Sequence, residues 1–120
     1  MTEEMKKNIK TNAIVAVENR LFAHLNYLKG ALESDALNTK ELRDIYLEIS
    51  DIRFSSEVSV VDSLDYRLMD AKCFIDNAIN FNKRYKESNL QDHRSIVMGD
   101  LLSAIEMLEK CIKMYQEYYA

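Results

Sequence analysis

The chain has 120 residues, a length that predicts a single domain over 1–120. It carries two glycines and no prolines, where average usage gives roughly 14 such residues. Without them a β-sandwich, a small barrel or a Gly-rich nucleotide loop is hard to build. Net charge is −4 and the pI about 5.2, the wrong sign for a protein that holds nucleic acid by charge, so nucleic acid is not expected as a partner.

The first segment predicts a helix from Glu3 to Glu33. Thr2 stands at its N-cap, and Glu3 and Glu4 lie in the positively polarised first turn. Ile14, Val17, Leu21, Leu25, Leu28 and Leu32 recur at spacings of three and four and so share one face. Ala16, Ala23 and Gly30 recur every seven residues beside that stripe, a line of small residues that lets another helix approach. The longest clean apolar run, Ala13 to Val17, is far too short to span a membrane. The Thr2-Glu3-Glu4 start carries acids where a secretion signal carries bases. The expected location is therefore the cytoplasm, with no membrane as partner.

Asn38-Thr39-Lys40-Glu41 has the form of a capping box. Asn38 is the N-cap, Glu41 reaches back to it, and Leu37 and Leu42 stand at the staple positions. A second helix therefore starts at Thr39, with Leu42, Ile45, Ile49 and Ile52 on its buried face. Beyond Ile52 the phase changes. The old face continues as Ser56, Ser59 and Ser63, whereas the apolar positions become Phe54, Val58, Val61, Leu64, Leu68, Ala71, Ile75 and Ile79. Two structures satisfy this shift. Either the chain breaks near Arg53–Ser56 and a third helix starts there, capped by Ser55 or Ser56, or one helix of about 70 Å runs from Thr39 to Lys86 and buries opposite faces at its two ends. Ser-Ser and Val-Ser-Val-Val are poor helix stretches and favour the break.

Ser88 to Gln91 resembles another capping box, ahead of a last helix from Asn89 to Tyr118. That helix has the most regular stripe in the chain: Met98, Leu101, Ile105, Leu108, Ile112, Tyr115 and Tyr119, widened by Val97, Ala104, Cys111 and Tyr118. Glu106–Lys110 and Glu109–Lys113 are favourable pairs on its outer side. Gly99, in line with Ser95 and Ser103, costs the helix about 1 kcal/mol against alanine, which suggests that a neighbour packs there. The fold class is all-α: an antiparallel bundle of three or four helices, with one long central helix if the second segment is continuous.

No catalytic set emerges from these segments. Cys73 and Cys111 are too far apart for a CxxC motif and too few for a disulfide framework, so they read as reduced thiols. The Glu-x-x-His spacing of helical metal sites does not occur, and the glutamates nearest before His24 and His93, Glu18 and Glu87, lie six positions back on the wrong face. No metal or cofactor is expected. The Arg-to-His spacing of HEPN-type ribonuclease toxins, four to six residues, is not met by Arg20 and His24 or by Arg84 and His93. The basic clusters Lys6, Lys7, Lys10 and Lys83, Arg84, Lys86 read as solvated helix ends.

His24, in Ala23-His24-Leu25-Asn26-Tyr27-Leu28-Lys29-Gly30, resembles the phosphorylated histidine of histidine phosphotransfer domains, which are helical bundles of similar length. In that family Lys-Gly falls three and four residues after the histidine. Here it falls five and six after, which turns Lys29 about 200° away. The same stretch is similar to the first helix of sporulation-type phosphotransferases and histidine-kinase dimerisation hairpins, with His24-Leu25-Asn26 and Gly30 matching the second half of their pattern. The phosphorylated position then falls on Asn19, whose amide forms no phosphoramidate. What this resemblance implies is a degenerate signalling dimerisation domain. The other expectation, drawn from the wide apolar stripes and the phase shift, is a non-enzymatic protein–protein interaction module, a regulator, chaperone or inhibitor of a larger partner that acts as a homodimer. Its expected contact residues are Ser56, Ser59 and Ser63, where the face swings, and Tyr115, Tyr118 and Tyr119 at the C-terminus.

Overall fold

A computed structural model describes residues 3–34, 38–88 and 91–120, with side chains described for 12–34, 38–84 and 94–120. The chain forms α1 (Glu3–Ser34), α2 (Thr39–Arg53), the single turn α3 (Ser56–Ser59), α4 (Leu64–Ser88) and α5 (Gln91–Tyr118). No strand occurs among the described residues.

Each long helix is antiparallel to the next. Tyr27 and His24 of α1 meet Glu41 and Glu48 of α2. Thr39, at the start of α2, meets Asn82 late in α4, and Arg53, at its end, meets Asp65 early in α4. Ile14 of α1 meets Tyr115 late in α5, while Lys29 meets the earlier Glu109. The result is a four-column bundle measuring 60 × 22 × 21 Å, in which α1 leans mainly on α5, α2 on α4, and α4 on α5.

The core follows the expected faces. Val17, Leu21, Leu25 and Leu28 of α1 are buried, with Ile14 and Leu32 half-buried at the edges. Leu42, Ile45, Ile49 and Ile52 of α2, and Leu101, Ile105, Leu108 and Ile112 of α5, are all buried. Asn38 caps α2 as expected, its Oδ1 accepting from Lys40 N at 2.9 Å and Glu41 N at 3.2 Å. The Glu41 carboxylate accepts instead from the Tyr27 hydroxyl across the α1–α2 seam. Leu37 lies outside the described residues, as do the side chains of the Ser88–Gln91 capping box, and α5 starts at Gln91 rather than Asn89.

No continuous helix links Thr39 to Lys86: the chain breaks, and it breaks twice. Ser55 is extended (φ −69°, ψ 148°), and its hydroxyl turns back to Ile52 O at 2.7 Å rather than capping α3. After one turn the chain unwinds again over 60–63, and Ser63 takes φ 67°. A left-handed serine costs on the order of 1–2 kcal/mol, held here by the burial of Val58, Val61 and Leu64 on either side. The first break corrects the place of Phe54. Expected on the new buried face, it is the C-cap of α2 and 80% exposed, with the Arg53 guanidinium 5.5 Å over its ring. Its four-residue spacing from Val58 means nothing once no helix joins them.

The small-residue lines also differ from expectation. Ala16, Ala23 and Gly30 are exposed, and a Cβ built on Gly30 or Gly99 meets nothing within 4 Å. Among the described residues, nothing packs against either glycine.

Candidate functional site

The expected contact residues divide into three groups. Tyr115 is fully buried, and its hydroxyl donates to Ile14 O at 2.7 Å, so it belongs to the core and offers no surface to a partner. Burial pushes its phenol well above the ordinary range. Ser56, Ser59 and Ser63 are exposed but form no stripe. Ser56 and Ser59 sit at the two ends of one helical turn, where the Ser59 hydroxyl donates to Ser56 O, and Ser63 lies in the following turn. The continuous face expected to carry these three serines therefore does not form.

Tyr118 and Tyr119 are brought to the same place as Ser56. The α3 turn lies against the C-terminal end of α5, pinned by the Tyr119 hydroxyl donating to Glu57 O at 2.5 Å. Tyr119 packs between its neighbours, its ring centroid 4.8 Å from both, tilted against Tyr115 and edge-on to Tyr118. Between the two elements runs an open groove of about 350 Å³, lined by Ser56, Glu57, Val60, Tyr118 and Tyr119. Val60 and Tyr118 are about half exposed, and Phe54 stands two residues before Ser56. Sequence reasoning missed Phe54 as a surface residue because it fits the apolar stripe of a helix that does not form, whereas Val60 lies off that stripe and carries no periodic signal of its own.

A second polar hollow, of about 240 Å³, opens on the α1–α2 seam, lined by His24, Tyr27, Glu41, Asp44 and Ile45. His24 is buried, its Nε2 2.8 Å from Glu48 Oε2. The two atoms are close but poorly aligned for a hydrogen bond, and Nε2 is buried without a well-directed partner. Desolvation holds the imidazole below its ordinary range, helped by Arg20 and opposed by Glu48. The ring is thus buried against a carboxylate at the edge of the hollow. Asn19, where the second resemblance puts the phosphorylated residue, is exposed.

Cys73 is exposed and Cys111 buried, both as free thiols, and burial pushes the Cys111 thiol up to about 12. Among the described residues no group of three or more His, Cys, Asp or Glu is placed to hold a metal ion, and no helix is long and apolar enough to cross a membrane.

The chain matches no family model, no curated protein and no solved structure. Any functional reading therefore rests on the geometry of the chain itself.

Proposed function

We propose that the protein is a non-enzymatic protein–protein interaction module of the cytoplasm, acting as a homodimer through the end of the bundle where α3 meets α5. The observation that carries this reading is the exposure of Val60 and Tyr118 in the groove they line with Ser56, Glu57 and Tyr119, together with the exposure of Phe54 at the end of α2, two residues before Ser56. Large apolar and aromatic side chains around a shallow groove are the composition of an interface core, and tyrosine serves there with little loss of rotamer freedom. The pinning of Tyr119 to the Glu57 carbonyl presents a pre-ordered surface, which lowers the entropy lost on association. An exposed thiol at Cys73 suits a reducing compartment.

Sedimentation across a range of concentrations tests the reading. Wild type is expected to sediment as a dimer, and Val60→Glu and Tyr118→Glu as folded monomers. A wild type that stays monomeric overturns the homodimer. Variants that dimerise as tightly as the parent overturn this surface.

A further inference from the structure

We propose that the α4–α5 seam carries an anion site suited to the phosphate group of a small phosphate monoester. The inference is independent of the surface at the bundle end. A hollow of about 330 Å³ opens on this seam, lined by Arg67 of α4 and by Lys110, Lys113, Met114 and Glu117 of α5. The four α5 residues are spaced three, one and three apart and so share one face of the helix. Arg67 reaches that face only because α4 runs antiparallel to α5 and sets its first turn against the last turns of α5. No motif joins these positions in the sequence.

The charges of the hollow do not balance. Three cations and one carboxylate leave a surplus of two positive charges, in a chain whose net charge is −4. Lys110 and Lys113, at i and i+3, repel each other along the helix. The carboxylates that local spacing offers are engaged elsewhere. Glu109, four residues before Lys113, lies 3.7 Å from Lys29 of α1, and Asp65, two residues before Arg67, lies 3.8 Å from Arg53. Asp70, one turn along α4, acts on the buried Cys111 thiol and does not line the hollow. Among the described residues Arg67, Lys110 and Lys113 form no ion pair. All three are exposed, so their head groups can reorient onto a ligand. A guanidinium offers two parallel N–H donors to two oxygens of a phosphate, and each ammonium adds a point charge with three donors. The surplus sets the ligand's charge. A phosphate monoester carries about −1.5 to −2 near neutral pH and three strong acceptor oxygens, whereas a carboxylate brings a single charge. Glu117 repels a second phosphate, and the half-buried Met114 gives the carbon side of the ester an apolar contact.

Heteronuclear NMR titration of the full chain at low ionic strength tests the site, with phenyl phosphate, inorganic phosphate and benzoate as probes. Phenyl phosphate is expected to bind saturably, with shifts concentrated around Arg67 and from Lys110 to Glu117. It should bind more tightly than inorganic phosphate, because its ring reaches Met114, and about tenfold more tightly than the monoanion benzoate. Its affinity should fall as the pH drops below about 6, where the ester becomes a monoanion. Arg67→Gln and Lys113→Gln should each weaken it about tenfold. Lys72→Gln, which removes an ammonium already engaged over the Tyr46 ring, should leave it unchanged. No saturable binding, shifts spread over the whole surface, benzoate binding as tightly as phenyl phosphate, or full affinity in both hollow variants overturns the site. Equal affinity for phenyl phosphate and inorganic phosphate overturns the assignment to a monoester. Should a variant fail to fold, the three probes and the pH series on the wild type decide the proposal.

Discussion

At the scale of single residues, the most consequential polar atom is the Tyr115 hydroxyl. It lies in the core, and its partner, Ile14 O, belongs to a helix 101 positions earlier in the chain. A buried hydroxyl that finds a partner contributes about 1 kcal/mol net, and the same hydroxyl left alone costs more than that. Tyr115→Phe removes donor and hydroxyl together and leaves Ile14 O its place in the α1 backbone ladder. The expected loss is thus about 0.5–1.5 kcal/mol, read as a shift of the urea midpoint with an unchanged slope. Phe54 shows the opposite balance. At 80% exposure its removal should leave stability within about 0.5 kcal/mol of the parent.

At the scale of elements, the helices owe their ends and faces to local chemistry. The Asn38 side chain satisfies two backbone N–H groups that α2 would leave unpaired. Asn38→Ala should therefore cost about 0.5–2 kcal/mol in denaturant melts, and Asn38→Asp should keep most of the cap. The two glycines make the complementary case. Both are exposed, both lie inside helices, and a methyl group at either meets open space. Gly30→Ala and Gly99→Ala should each stabilise the fold by up to about 1 kcal/mol, seen as a rise in Tm. A drop in Tm would mean that something outside the monomer packs on that helix face.

At the scale of the molecule, one continuous core holds four columns together, and α5 is its shared wall, touching both α1 and α4. Leu108 lies mid-way along α5 and is fully buried. Leu108→Ala should cost about 2–5 kcal/mol, the range for emptying a core site, and Ile112→Ala a similar amount. A loss within error for both would place this face in solvent. The seams are unequal: α4–α5 and α2–α4 are the broad ones, α1–α2 the narrow one. Local opening is expected where buried apolar contact is least, and there the only buried histidine among the described residues is found.

The sequence by itself determined the helices, their buried faces and the cap of α2, because each depends on neighbours three or four positions away. Leu42, Ile45, Ile49 and Ile52 face inward in any bundle that uses them, whatever stands opposite. It also showed that the chain changes phase after Ile52, since no straight helix buries Ile52 and Val58 on one side. What it could not show was that two breaks divide the change, so that Phe54 turns to water and Ser63 adopts a left-handed turn. Nor could it pair Tyr115 with Ile14, His24 with Glu48, or Ser56 with Tyr118 and Tyr119. Those meetings depend on how far each helix slides and rotates against its neighbour. That register is settled by interlocking side chains across the whole core, and it leaves no period in the sequence to read.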